Sequence, residues 1–481
     1  MKPRAPSRLP GVLLAVALAL GAAPREGRGE AHDLRAHYGP RDALVGRYPV
    51  LPFDAPEGAT RVDVALRYDE AGGANVVDLG LLEPGSQELA TSAFRGWSGG
   101  ERSEIFVAVD DATPGYWPGP IPAGRWHVAL GLYRVGPAGV DVEVQVRTSR
   151  GPGGPTPGPG RRPAEPIRRG AAWYAGGLHA HTVHSDGALT PGELALAARA
   201  DGLDFLAITD HNNTAHQRDA IEVPGLLVIP GEEVTTPGGH LNVWGLAGFR
   251  DFVDFRVLPG DPALQGLVDA VRARGALASI NHPTGECSAC AWTHAVPEGI
   301  AGIEVMNRDA RGLAPSLALW DVLLRQGRRI TAVGASDFHR PGEGPVGAPC
   351  VRVWAEELST RAVLQGLREG RVVVMADAGT PPPRFAVRAA GREAGVGDLL
   401  AVRSGGPLEV EVAAAGPAYA GGRVDLLWRG ERVATAPLAG TLPVRFQRWA
   451  NADGYLRVHL FAAGGAPLAI TNPIYVALAP R

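Results

Sequence analysis

Six times between residues 177 and 339 an apolar run ends in His, Asp, Glu or Asn. The run ends are Gly177-Leu-His179-Ala-His181, Phe205-Leu-Ala-Ile-Thr-Asp210-His211 and Leu227-Val-Ile-Pro-Gly-Glu232-Glu233. Then come Leu277-Ala-Ser-Ile-Asn281-His282, Ile303-Glu-Val-Met-Asn307 and Ile330-Thr-Ala-Val-Gly-Ala-Ser336-Asp337-Phe-His339. Imidazole and carboxylate without thiolate is the donor chemistry of divalent metal sites. His179 and His181 stand two apart, so on a strand both point to one side and can share an ion; Asp337 and His339 repeat the spacing. A single buried histidine is usually a hydrogen-bonded core residue. Nine of the 13 histidines fall between 179 and 339, which is more than that explanation absorbs.

The elements that must position these residues are parallel β/α units. Helical stretches separate most of the runs, and the clearest starts at Thr190, with Pro191 next and Glu193 three residues on. That is an N-cap, a proline at the first helical position and a capping box, so Glu193 has a structural role. In β/α barrels, active groups collect at the C-terminal strand ends, so six polar ends converge on one mouth.

Together, His179-Ala-His181-Thr182 with Ser185-Asp186-Gly187, Thr209-Asp210-His211-Asn212, Asn281-His282-Pro283 and Ser336-Asp337-Phe338-His339 resemble the PHP (polymerase and histidinol phosphatase) superfamily of metallohydrolases. Glu233-Val-Thr-Thr, Gly239-His240-Leu-Asn242 and Thr471-Asn-Pro-Ile474 make the chain most similar to its CehA/McbA branch. The resemblance covers about 210 of the 481 residues. It implies a distorted (β/α)7 barrel with two or three divalent ions, zinc, manganese or iron. Carried over motif by motif, it implies that His179, His181, Glu233 and Asp337 hold one ion. Glu233 bridges to a second, completed by His240 and His282; Asp186, His211 and His339 hold a third. Asp186 departs from the histidinol phosphatase pattern, which has His there. Glu232 competes with Glu233, which is chosen because Val follows it directly. Asp210 falls behind the ligands. Arg308 and Arg340 are candidate clamps for a substrate phosphate, with a surface role the alternative for each. His179, His181, Glu233, Asp337 and His339 form the catalytic set.

The rest of the chain frames that segment. Lys2, Arg4 and Arg8 precede an apolar run from Gly11 to Ala23, the order of a secretory signal peptide (residues 1–23) cleaved after Gly21 or Ala23. The expected location is the periplasm or beyond, without stable membrane insertion. Residues 31–149 read as short alternating strands of a β-sandwich, 150–169 as a Pro/Gly/Arg linker, 170–379 as the barrel and 380–481 as a second small β domain. The fold class is therefore α/β, a barrel flanked by two all-β domains. Lys+Arg 47 against Asp+Glu 50 leaves a net charge of −3, with no basic, aromatic-interleaved groove for duplex nucleic acid.

Cys287 and Cys290 lack the ligands of a structural zinc site and are read as a disulfide at the barrel rim; Cys350 is read as a core residue. His184 and His216 sit beside motif residues in loops and are weighed as substrate contacts. The leading function is an exported phosphoesterase that uses a metal-bridged hydroxide on small phosphate mono- or diesters, as a nucleotide phosphatase or on oligonucleotide ends. A carbamate, ester or amide hydrolase is the alternative, and a non-catalytic glycan-binding surface protein the lesser one.

Overall fold

The computed structural model describes residues 29–89, 92–246, 248, 250–285, 290–308 and 310–479. The expected signal peptide and Cys287 lie outside them. No helix among the described residues is long and apolar enough to cross a membrane.

Several strands of the first 120 or so described residues alternate with period two and so bury one face, whereas Val76–Leu82 and Phe94–Trp97 are buried on both. In Arg61–Tyr68 the buried side chains are Val62, Val64 and Leu66; in Val140–Ser149 they are Val140, Val142, Val144 and Val146. One antiparallel sheet runs Ala31–Tyr38, Val140–Ser149, Arg61–Tyr68, Glu104–Ala108. The other runs Val50–Ala55, Gly124–Arg134, Val76–Leu82, Phe94–Trp97. Phe53, Leu79, Trp126 and Leu130 fill the core they share with the valines. The segment that follows has no regular structure up to residue 167, yet it is tied down. Gly160 N–H donates to the Gln217 carbonyl (2.9 Å), Ile221 N–H to that of Arg161 (2.9 Å), and Arg162 to that of Asp219 (2.6 Å).

The middle of the chain is mixed α/β and rich in strands. Its curved sheet runs Thr331–Ala335, Gly302–Asn307, Leu277–Ile280, Gly239–Trp244, Leu227–Thr236, Phe205–Ile208, Arg168–Gly177, Cys350–Leu358, Val372–Met375. Helices Pro191–Ala200, Ala263–Ala273, Leu313–Arg325 and Thr360–Arg368 connect parts of it, the first opened by the Thr190–Glu193 capping box.

Two features depart from the expected (β/α)7 barrel. Gly239–Trp244 is antiparallel to both neighbours, because only residues 237 and 238 join it to Leu227–Thr236 and so short a connection makes a hairpin, not a crossover. No strand ladder among the described residues closes the sheet into a ring, although an isolated parallel bridge joins Ala180 to Phe338, just past the ends of Arg168–Gly177 and Thr331–Ala335. Among the strands, Thr331–Ala335 forms a ladder with Gly302–Asn307 alone, and its far side packs on Val372–Met375. Close approach there requires Gly334, where a Cβ would stand 2.5 Å from a methyl of Val374.

The strands of residues 380–481 fall in two sheets that share one buried core, with Phe385, Val387 and Val410 from one and Leu426, Leu456 and Val458 from the other. Pro467–Thr471 pairs antiparallel with Val372–Met375, so the central sheet runs on through Gly454–Phe461, Arg423–Trp428 and Glu431–Pro437. A four-stranded sheet of Arg392–Gly395, Arg384–Ala389, Gly406–Ala413 and Val444–Ala450 completes this end of the molecule. Two polar clamps lock the junction. The buried Asn472 side chain accepts from Ala332 N–H (2.7 Å) and donates to the carbonyls of Ala332 (2.8 Å) and Val372 (3.0 Å). Arg457 reaches Asp321 on helix Leu313–Arg325 at 2.7 Å, both largely shielded from solvent.

Asn472→Ala should cost about 3 kcal/mol of unfolding free energy, because it strands buried backbone groups of two strands with no replacement partner. Urea denaturation of the metal-free protein reads this directly, and a loss below about 0.5 kcal/mol would show that water or a neighbour takes over.

Candidate metal centre

All nine side chains singled out as metal ligands meet in one place. Ligand atoms of four groups made only from them lie within 4.8 Å of one another: His179/His181/Asp337, His179/Glu233/His282, His211/Glu233/His240, and His181/Asp186/His211/His339. The last group takes in His181 as well as the three residues expected there.

Glu233 is at the middle, fully buried on Leu227–Thr236. Its Oε1 stands 3.2 Å from His179 Nε2, 3.1 Å from His240 Nδ1 and 3.3 Å from His282 Nε2; Oε2 stands 2.9 Å from His211 Nδ1 and 3.4 Å from His181 Nε2. Asp337 Oδ1 is 3.2 Å from His179 Nε2 and 3.1 Å from His181 Nε2, and those two nitrogens are 3.1 Å apart. Asp186 Oδ2 faces His211 Nε2 at 3.6 Å and His339 Nε2 at 3.3 Å. Donors about 2.0–2.2 Å from one small ion stand roughly 2.9–3.5 Å from each other, and these spacings match that range closely enough for the donors to share ions. The hydrogen bonding agrees: Glu233 Oε2 is buried and accepts no hydrogen bond despite two imidazole nitrogens nearby. The residues fit divalent cations held by nitrogen and oxygen.

The backbone is bent to aim them. Among the described residues seven non-glycine positions have positive φ, and three are here: Asn212 (54°), His282 (23°) and Asp337 (50°). Such conformations cost of order 1 kcal/mol or more each and persist where the surroundings over-determine them.

A second layer orients the donors, and most of it was not read from the sequence. Glu304 Oε1 lies 3.1 Å from His179 Nδ1, while its Oε2 accepts from His282 N–H (2.7 Å) and Asn307 Nδ2 (3.0 Å). A carboxylate behind a ligating imidazole fixes its tautomer and raises its basicity. The strand end Ile303-Glu304 was visible, but nothing local showed which histidine it would meet. Asn281 Nδ2 donates to Glu233 Oε1 at 2.8 Å. Asp210 accepts from Thr182 N–H (2.7 Å), Thr182 Oγ1 (2.8 Å) and Ser185 Oγ (2.8 Å), which sets the turn carrying Asp186. Glu232 points the other way, accepts from Val253 N–H at 2.7 Å, and burial pushes its carboxyl well up.

His184 and His216 do not reach the mouth. His184 is buried between Asp219 (2.8 Å) and Gly115 N–H (3.0 Å), and His216 is buried against Asp210 (3.3 Å). His294 pairs with Thr236 Oγ1 at 2.8 Å and supports the hairpin turn.

The β-sandwich supplies one wall of the centre. Arg102 donates to the carbonyls of Ser185 (3.1 Å) and Val183, Asn212 Nδ2 donates to Tyr133 Oη (3.2 Å), and Arg218 donates to the carbonyls of Tyr116 and Ala112, both at 2.8 Å. Gly99 has φ +64°, and a Cβ there would stand 2.8 Å from Ser185 Cβ and 3.5 Å from His211 Cβ. Asp78, buried beneath, accepts from Gly100 N–H at 3.0 Å and holds the loop in place.

A cavity of about 560 Å³ opens beside the ligands, lined by His282, Asp337, Glu304, Thr284, Ser316, Arg308 and Arg311 among others. Arg308 also meets Glu343 at 2.5 Å. Arg340 does not line this cavity; it meets Glu343 at 3.5 Å and is more than half exposed.

No protein-family model matches the chain, and no curated protein does. Among solved structures, the chain is similar to a two-domain protein containing a predicted PHP-like metal-dependent phosphoesterase from Bacteroides vulgatus. Identity is 17%, 67% of this chain and 100% of that chain are covered, and the TM-score is 0.36. A second is PsfC from Pseudomonas syringae, at 17% identity, 40% of this chain, 86% of that chain and TM-score 0.30.

Two predictions follow from this geometry. At His179 and His211 burial opposes protonation, but Asp337, Glu233 and Glu304 at the first and Asp186 and Glu233 at the second outweigh it and raise both well above the usual imidazole range. His282 and His339 move up too, against burial, through Glu233 and Asp186 respectively. The imidazoles of His179 and His211, raised furthest, hold their protons in the metal-free fold at neutral pH, and a cation must displace them. Metal affinity should therefore rise by at least about tenfold per pH unit between about pH 6 and 8, with proton release in calorimetry; a flat profile would contradict these charge states. Gly99→Ala, strained and pressed against Ser185, should lower bound metal by about one ion per chain while leaving the ions on Glu233, as elemental analysis would show.

Proposed function

We propose that this chain is a metal-dependent hydrolase of the PHP type, a phosphoesterase acting on small phosphate mono- or diesters outside the cytoplasm. The observation that carries the reading is the buried Glu233 carboxylate, with five imidazoles within 3.4 Å of its oxygens and one oxygen lacking any hydrogen-bond donor. His179, His181, Glu233 and Asp337 would hold one divalent ion, Glu233, His240 and His282 a second, and Asp186, His211 and His339 a third. Such ions supply a nucleophilic water at neutral pH and neutralise a phosphoester's anionic oxygens.

The chain's own groups do the rest. Glu304 and Asn281 fix His179 and Glu233, so the donors need no rearrangement as charge develops. Arg308 and Arg311, on the cavity wall next to His282 and Asp337, are placed to receive a substrate's non-bridging oxygens. The cavity volume suits a nucleotide-sized or smaller ester and leaves no room for a duplex. Export is supported by the N-terminal sequence and by a disulfide at Cys290.

The test is hydrolysis of matched aryl substrates by the metal-loaded protein: a phosphate monoester, a phosphodiester and a carbamate. Phosphoester turnover should appear and should fall by roughly 10³-fold or more in Asp337→Ala. Arg308→Ala should raise KM more than it lowers kcat. Turnover of the carbamate alone would replace phosphoester chemistry with acyl chemistry at the same site. Silence on all three with metals bound would overturn the substrate assignment.

A further inference from the structure

Among the described residues one sulfur lies close to two of the imidazoles that face Glu233, and the hydrolase reading does not use it. The chain leaves His282 in a tight turn, with Gly285 N–H donating to the His282 carbonyl (2.8 Å), and returns so that Trp292 N–H reaches the Pro283 carbonyl (2.9 Å). This folds buried Cys290 back over the second group of ligands. Its Sγ and one ring nitrogen each of His240 and His282 lie within 4.8 Å of one another. Independently, His282 Nδ1, the ring nitrogen other than the one facing Glu233, is buried and takes part in no hydrogen bond, and a Cβ built on Gly285 would stand 3.6 Å from it and 3.2 Å from Cys290 Cβ. Cys290 is disulfide-bonded, whereas Cys350 is a free, buried thiol that burial pushes up to about 12 and so keeps inert.

We propose that the disulfide at Cys290 is a redox lock on the metal preference of the centre: once it is opened, Cys290 joins His240 and His282 in holding a thiophilic divalent cation. The proposal rests on the reading of this cluster as a metal centre. In the oxidised chain the sulfur is tied up in its S–S bond, and the second ion sees only nitrogen and oxygen, a set that suits manganese and iron as well as zinc. A dithiol reductant donates two electrons and becomes a cyclic disulfide; the protein's S–S bond breaks and two thiols form. On binding the cation, the Cys290 thiol gives its proton to solvent. A thiolate beside two imidazoles then favours zinc or cobalt over manganese, because soft sulfur selects soft or borderline ions.

Cobalt(II) is the probe, since a cysteine thiolate bound to it produces an intense near-ultraviolet charge-transfer band that nitrogen and oxygen donors do not. Full-length protein would be compared oxidised and after reduction by a dithiol and desalting without air, with thiols counted in each state and cobalt then added. The expected result is cobalt uptake in both states, the band in the reduced state only, and its loss on reoxidation. Reduced Cys290→Ser should bind cobalt without the band. Alkylation of Cys290 in the reduced wild type, located by mass spectrometry, should slow by about tenfold or more when cobalt is bound, which needs no variant. Cobalt bound by the reduced protein without the band and without protection would overturn the proposal and leave the metal centre standing. A band that survives in Cys290→Ser would place the sulfur elsewhere and also overturn it. Failure to bind cobalt in either state would remove the metal-centre reading and this inference together.

Discussion

A carboxylate cannot be taken out of water without compensation, and the burial of Glu233 is the constraint on which the middle of this molecule depends. An uncompensated buried charge costs several kcal/mol or shifts to its neutral form. Glu233 does neither: burial raises its carboxyl, but His179, His211 and His240 outweigh that and hold it well below the usual range. Asp337 and Asp186 are held low in the same way, against burial, by the imidazoles around them. The cluster is thus a set of anions whose partners are shared imidazoles. Cations fit because they satisfy both kinds of donor at once, which protons on the nitrogens do only in part. His181 and His240 show the conflict: burial, joined by charged imidazole neighbours, pushes both down.

The departures from a regular barrel serve this constraint. A parallel strand after Leu227–Thr236 would have begun again at the far end of the sheet and delivered its first side chains away from Glu233. The hairpin instead turns at residues 237–238, so His240 pairs with Thr235 and Asn242 with Glu233. With period-two alternation, Glu233, Thr235, His240 and Asn242 then share one face. The positive φ angles at His282 and Asp337 do similar work, turning a side chain from the strand axis towards the centre. Asn472 supplies the stiffness from outside by bonding to backbone on both sides of the unclosed seam.

The ligands were legible because metal binding leaves a local trace: two-residue spacing such as His179/His181 and polar residues at the ends of apolar runs. Glu233 was separable from Glu232 only by resemblance, and alternation on the strand is the physical reason, since adjacent residues face opposite ways. The antiparallel turn had a signal, Pro237-Gly238 between two apolar runs, but the expectation of repeating β/α units overrode it. Glu304, Asn281 and the loop at Gly99 act across long sequence separations, where spacing carries no information. Cys290 was read as one half of a disulfide at the barrel rim, and only the fold shows how near it lies to His240 and His282.

That long-range dependence changes what the flanking β structures are for. The sandwich core is not closed off from the middle of the chain: Leu82, Phe94 and Trp97 pack in one buried cluster with Phe252, Phe255 and Leu264. Phe94 stacks on Phe252 with ring centroids 4.5 Å apart, and Trp97 meets Phe255 edge-on at 4.8 Å. Burial of several large apolar side chains across one junction contributes roughly 1.5–3 kcal/mol each, enough to hold the sandwich in one pose. Trp97 is followed directly by Ser98 and Gly99, so the aromatic contact and the wall against Ser185 belong to one rigid stretch. At the opposite end, Tyr455 and Arg457 fix the helix that begins beside the cavity, through Asp321. The two β units therefore act on the centre through separate contacts, one through the turn that carries Asp186 and the other through the helix that frames Arg311 and Ser316. A change in either can move a donor without touching it, and the precision of a nine-residue site is the property of the whole chain.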